Sequence, residues 1–117
     1  MRRKDFKGRC EKKYLSKCKV VCKTYDPIQS AYASVLENND DIIEIRCNVP
    51  LDGDEEKGHM TDFVCTKENG ELLVRECVPR KHLTKPKTLQ LLDLSKDYWL
   101  KRGVTDWGIC IEKVDEE

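Results

Sequence analysis

Met60-Thr61-Asp62-Phe63-Val64-Cys65-Thr66-Lys67-Glu68-Asn69-Gly70-Glu71-Leu72-Leu73-Val74-Arg75-Glu76-Cys77-Val78 is the stretch that decides the fold. Two strand-like runs flank a turn, and the turn sets which residues face each other. A two-residue Asn69-Gly70 loop would place Asp62 opposite Cys77 and send Glu76 to the other face. A type I turn at Glu68-Asn69 with Gly70 as a left-handed bulge residue pairs Lys67 with Glu71 and sets Asp62 opposite Glu76. The bulged register is preferred because it gathers Asp62, Val64, Thr66, Leu72, Val74, Glu76 and Val78 on one face. Thr61, Phe63, Cys65, Lys67, Leu73, Arg75 and Cys77 then line the other. Two carboxylates on an apolar face are costly unless a metal or a cation lies between them. The plain alternative is an ion pair of Glu76 with Arg75, Arg80 or Arg46.

Working outward, the helix before the hairpin has a clear start. Asp26 is a suitable N-cap, Pro27 fits the first helical position and Gln29 completes a capping box. Ile28, Ala31, Tyr32, Val35 and Leu36 follow the spacing of a core-facing stripe. Ile42 to Val49 reads as a strand, with Ile43, Ile45, Cys47 and Val49 on one side and Ile42, Glu44, Arg46 and Asn48 on the other. An acidic loop, Pro50 to Gly58, leads into the hairpin. Beyond it, Thr84 as cap and Pro86 in the first turn open a second helix, with Leu91, Leu92, Leu94, Tyr98 and Trp99 as its apolar side and Gly103 as its stop. Trp107 to Ile111 is a last strand before a charged tail. The order is helix, three strands, helix, strand, an α/β arrangement whose final crossover suits a parallel partner.

The chain has 117 residues, enough for one domain with a core. Lys+Arg and Asp+Glu number 22 each, but the balance is uneven along the chain. Residues 1–25 hold ten Lys or Arg against Asp5 and Glu11, so the remainder is correspondingly acidic. Residues 1–24 therefore read as a basic arm and residues 25–117 as the folded domain. A basic arm is a nucleic-acid signal, because phosphate contacts dominate such affinity; its plain alternative is a solvated segment. Arg2, Arg3, Lys4, Lys12, Lys13, Arg80 and Lys81 are the candidate phosphate contacts.

No apolar run reaches membrane-spanning length and no signal-peptide core is visible, which points to a cytoplasmic protein without a membrane role. Seven cysteines, an odd number, fit reduced thiols better than a disulfide framework. Cys10, Cys18 and Cys22 cluster in the basic segment. Their spacing matches no standard finger and a fourth ligand would have to come from His59 or Cys47, so Zn2+ is not expected there. His59 reads as a solvated side chain, His82 as an exposed loop residue or a phosphate contact, and Tyr98, Trp99 and Trp107 as core aromatics rather than base-stacking ones.

From Gln29 to Lys113 the chain resembles the N-terminal catalytic domain of the TnsA-type transposon endonucleases, of the restriction-endonuclease-like, PD-(D/E)xK nuclease fold. The resemblance runs through Val35-Leu36-Glu37, Ile43-Glu44-Ile45-Arg46 and Met60-Thr61-Asp62-Phe63. Its most specific part is Leu83-Thr84-Lys85-Pro86 to Tyr98-Trp99, Arg102-Gly103-Val104 and Asp106-Trp107-Gly108-Ile109. It implies an αβββαβ core with a mixed sheet flanked by helices, and Mg2+ held by Asp62 and Glu76, the candidate catalytic residues. Val78 stands where the family has its lysine and Gln29 where it has its helix glutamate. Arg46, Arg80 or Lys81 are the cations that could stand in, and Glu37 or Glu44 the acids.

Three functions follow from this. The first is a nucleic-acid-associated protein of a mobile genetic element, with DNA and a transposase or other protein complex as partners and cleavage impaired. The second is an active Mg-dependent DNA endonuclease cutting phosphodiester bonds at transposon ends. The third is a small protein-binding module or inhibitor that uses the degenerate fold.

Overall fold

The computed structural model describes residues 2–3, 8–53 and 58–112, with the backbone alone at Arg2 and Arg3. Lys4, the acidic stretch 54–57 and the tail 113–117 lie outside the described residues. The elements are β1 (Arg2–Arg3), β2 (Glu11–Lys13), β3 (Cys22–Thr24), α1 (Pro27–Glu37), β4 (Ile42–Pro50), β5 (His59–Lys67), β6 (Leu72–Cys77), α2 (Pro86–Leu100) and β7 (Asp106–Cys110), with a short 3-10 turn at Arg80–His82. From α1 onward this is the order helix, three strands, helix, strand.

The sheet is mixed. β4 and β6 flank β5 in antiparallel pairing, and β7 lies parallel to β6. The hairpin takes the bulged register: Phe63 pairs with Arg75 and Thr66 with Leu72, while Lys67 N–H donates to the Glu71 carbonyl at 2.8 Å. Gly70 has φ +88°, a left-handed value that favours glycine. Both faces of the hairpin are covered. Phe63, Cys65 and Leu73 pack with Ala33 and Leu36 of α1, whereas Val64 and Val74 pack with Trp99 of α2 and Val104.

Sequence periodicity and structure part company in β4, α1 and α2. A bulge in β4 separates Ile42, paired with Lys67, from Glu44, paired with Thr66. The extra residue, Ile43, points outward and is 55% exposed, while Ile42 joins Ile45 in the core. The buried stripe of α1 is Gln29, Ala33 and Leu36, and Val35 faces solvent. In α2 the buried residues are Leu92, Ser95 and Trp99; Leu94 is exposed, and the N-cap is Lys85 rather than Thr84.

The basic segment lies along the domain from residue 8 onward. β2 and β3 form an antiparallel pair. Lys13 Nζ donates to the Ser30 carbonyl at 2.8 Å and to Ser34 Oγ at 3.0 Å, fixing that pair to α1. Lys17 Nζ donates to the Asn39 carbonyl at 2.6 Å just past the helix, and the Lys17 carbonyl accepts from Ile45 N–H on β4 at 2.9 Å. β3 itself is anchored by buried Cys22 and Thr24. These cations thus hold local structure together as well as carrying charge.

Candidate functional site

β5 changes partner along one edge. It pairs with β1 at His59 and Met60 and with β6 from Phe63 to Thr66. Asp62 lies in the interval, where a backbone N–H would be left without a ladder partner. Glu76 supplies one: Asp62 N–H donates to Glu76 Oε1 at 2.9 Å. In return, Cys77 N–H donates to Asp62 Oδ2 at 2.8 Å. The carboxylates bridge the two strands beyond the end of the backbone ladder.

The second oxygen of Glu76 is held from α2. Ser95 Oγ donates to Oε2 at 2.5 Å, and Trp107 Nε1 donates to Ser95 Oγ at 3.0 Å. Nearby, Trp99 Nε1 donates to Thr61 Oγ1 at 2.8 Å. Thr61 therefore contacts the α2 layer, although strict alternation puts it with Phe63. Asp62 is 1% exposed and Glu76 0%. Burial first, and then the charge on Asp62, push the Glu76 carboxyl from 4.5 up to about 8, so it is largely protonated at neutral pH. No buried side-chain nitrogen or oxygen among the described residues lacks a hydrogen-bond partner.

The sequence-predicted residues distribute as follows. Asp62 and Glu76 meet. Val78 is buried at the position expected for lysine, its N–H donating to the Cys110 carbonyl at 2.9 Å. Gln29 is fully buried and structural. Its backbone N–H donates to Asp26 Oδ1 and its Oε1 accepts from Tyr25 N–H, while its Nε2 donates to Asn48 Oδ1 at 2.9 Å. Asn48, at φ +55°, passes the link on to the Lys23 carbonyl.

The three arginines offered as ion-pair partners of Glu76 are engaged elsewhere. Arg75 pairs with Asp106 at 2.8 Å, Arg80 with Glu112 at 3.9 Å, and Arg46 with Glu44 at 3.8 Å. The ion pair expected of Glu76 with one of these arginines is therefore replaced by neutral donors: a backbone N–H and a serine. Glu37 accepts from Ser16 and Lys17, and Glu44 pairs with Lys19, so each replacement acid has partners in the N-terminal segment.

Arg80 and Lys81 are exposed, next to a partly buried His82. Lys12 is exposed as well, and His59 opens β5 instead of lying in the loop. The aromatics work as packing groups. Tyr98 meets Trp99 edge-on at 4.9 Å, takes the Arg102 guanidinium over its ring at 3.5 Å, and accepts from Asp52 N–H at 3.0 Å.

The cysteines depart most from expectation. Cys22 and Cys47 are joined in a disulfide, where uniformly reduced thiols were expected. β3 and β4 bring their Cα atoms to 5.8 Å across a separation of 25 residues, a distance suited to such a bond. The cluster of possible sulfur ligands is Cys18, Cys22 and Cys47; Cys10 is exposed and, like His59, is not a member of it. Burial, followed by the charges of Glu37 and Glu44, pushes the Cys18 thiol up.

Ser95 and Asn48 are the polar residues that sequence reasoning missed. Serine at a buried helix position signalled nothing by itself, and the left-handed Asn48 was hidden in a strand-like run.

No protein-family model matches the chain, and no curated protein sequence matches it. No helix among the described residues is long and apolar enough to cross a membrane.

Proposed function

We propose that this chain is a nucleic-acid-associated protein of the kind carried by mobile elements, built on a TnsA-like, restriction-endonuclease-like core that no longer cleaves. The order of elements from α1 to β7 and the meeting of Asp62 with Glu76 support the nuclease ancestry. The observation that carries the loss of cleavage is the environment of Glu76. It is fully buried, and its two oxygens accept from Asp62 N–H and from Ser95. Hydrated Mg2+ needs ionised oxygens and open positions for water and phosphate. Here the carboxylates serve as acceptors for strand N–H groups. Val78 adds no cation, and Gln29 is committed to the start of α1.

Nucleic acid would be held by exposed cations, with Arg80 and Lys81 leading into Lys85 and Lys87 at the start of α2. The test is incubation of the full chain with supercoiled and linear DNA plus Mg2+ or Mn2+, beside Asp62→Ala. We expect binding that falls steeply with salt and weakens in an Arg80→Ala/Lys81→Ala variant, with no nicking. Metal-dependent nicking lost in Asp62→Ala would establish the active endonuclease instead. Absence of binding at every salt concentration would leave the protein-binding module as the function.

A further inference from the structure

Three sulfur atoms converge where β3 meets β4. The Sγ atoms of Cys18, Cys22 and Cys47 all lie within 4.8 Å of one another. Cys18 ends a tight turn, with its N–H donating to the Leu15 carbonyl at 3.1 Å, and Cys22 opens β3 in the core. Cys47 comes from the middle of β4. The disulfide uses two of the sulfurs and leaves the third thiol beside it without a covalent role. The remaining thiols bear on this. Cys10, Cys18, Cys65, Cys77 and Cys110 are all free, Cys10 on the surface. A reductant that opens the Cys22–Cys47 bond adds its two sulfurs to these thiols. Once open, three thiols share one point on the wall of a cavity of about 600 Å³, which Val20, Glu44 and Asn48 also line.

We propose that the reduced chain binds one thiophilic divalent ion of the zinc class through Cys18, Cys22 and Cys47, with the fourth coordination position facing that cavity. The donor set selects the metal, because thiolates favour zinc over hard cations. Cys18 and Cys22, with three residues between them, have a spacing common in zinc-binding cysteine pairs, and the sheet fixes the third ligand. Tetrahedral zinc–thiolate bonds hold sulfurs roughly 3.8 Å apart, which small side-chain rotations deliver from the observed cluster. Three thiol ligands leave one position for water or a small ligand, unlike a closed four-ligand structural site.

Binding converts three thiols to thiolates and releases three protons. Oxidation reverses it. A disulfide oxidant such as oxidised glutathione takes two electrons from Cys22 and Cys47 and is reduced to two thiols. The Cys22–Cys47 bond forms, and the ion, left with a single sulfur, departs. The site and the disulfide are therefore mutually exclusive states of one corner. This inference is independent of nucleic-acid binding.

The test is titration of the full chain with Co2+ in a phosphine reductant, followed by competition with Zn2+. We expect a thiolate-to-cobalt charge-transfer band that saturates at one equivalent and is bleached by zinc. Cys18→Ser should weaken binding by roughly a hundredfold or more, since even changes behind the ligands cost 10- to 100-fold. Cys10→Ser should leave it unchanged. Treatment of the unmodified chain with oxidised glutathione should abolish the band, a readout that needs no variant to fold. A reduced chain without the band would overturn the proposal, as would equal affinity in Cys18→Ser, loss in Cys10→Ser, or a band that survives disulfide formation.

Discussion

Asp62 and Glu76 at the β1–β6 interval and Cys18, Cys22 and Cys47 at the β3–β4 corner are both sets of side chains that elsewhere hold metal ions. The first set is shut: its residues are 1% and 0% exposed and accept hydrogen bonds from strand backbone and Ser95. The second lies on a cavity wall with half-buried Cys18 and Cys47. Oxygen ligands whose lone pairs are occupied by amide hydrogens act as structure. Sulfur ligands accept hydrogen bonds weakly, so a cluster of them keeps its donor capacity even when packed. One sheet can therefore close over a pair of carboxylates and still leave room beside a cluster of sulfurs.

The sharpest way to break the comparison is Glu76→Ala. It leaves Asp62 N–H without its acceptor, removes Ser95's partner and opens a cavity, so a loss of about 3–5 kcal/mol is expected in urea unfolding. A loss under about 1 kcal/mol would contradict the structural role of the carboxyl. Titration of stability probes the same group. The folded-state value, about 8, exceeds the ordinary 4.5, so the folded protein binds the proton more tightly than the unfolded chain. The contribution is complete below 4.5 and is lost as pH rises through about 8. Relative to Glu76→Gln, the unmodified protein should weaken over that window, and parallel profiles would rule out a buried neutral acid.

Cys47→Ser tests the other corner. Under oxidising conditions it removes a cross-link across 25 residues and should cost about 3 kcal/mol. In reductant without metal the cost should fall to about 1 kcal/mol or less, as expected for a half-buried position. Equal costs in both conditions would mean that side-chain packing, and not the bond, holds the corner. The smallest effect is expected for Ser95→Ala, about 1–2 kcal/mol, from one lost donor to Glu76 and one lost acceptor for Trp107. A neutral result there would place the second oxygen of Glu76 in contact with water.

The hairpin register was legible because Glu68-Asn69-Gly70 carries its own geometry: only one turn type uses a left-handed glycine at that position and still gathers the apolar residues. The start of α1 was legible for the same local reason, in Asp26, Pro27 and Gln29. What escaped was non-local. Nothing near Ile43 announces a bulge, which arises from pairing with Lys67 and Thr66. Gln29 was readable as a cap, but its bond to Asn48 depends on β4. Cys47 is 25 residues from Cys22, so only the apposition of β3 and β4 shows that it, and not Cys10, completes the cluster. Of the acidic site, the pair could be foreseen. Its closure by Ser95 and by backbone N–H groups could not, since a serine hydroxyl becomes informative only once α2 is docked.

The relay from Trp107 through Ser95 to Glu76 has an optical consequence. Ser95 Oγ donates to the Glu76 carboxyl and accepts from the indole N–H of Trp107, so a change of charge on Glu76 alters the polarity that this indole meets. With Trp99 the only other tryptophan and tied instead to Thr61, intrinsic fluorescence carries one indole that senses the buried proton and one that serves as its internal standard. The molecule has a native dye beside its buried acidic pair.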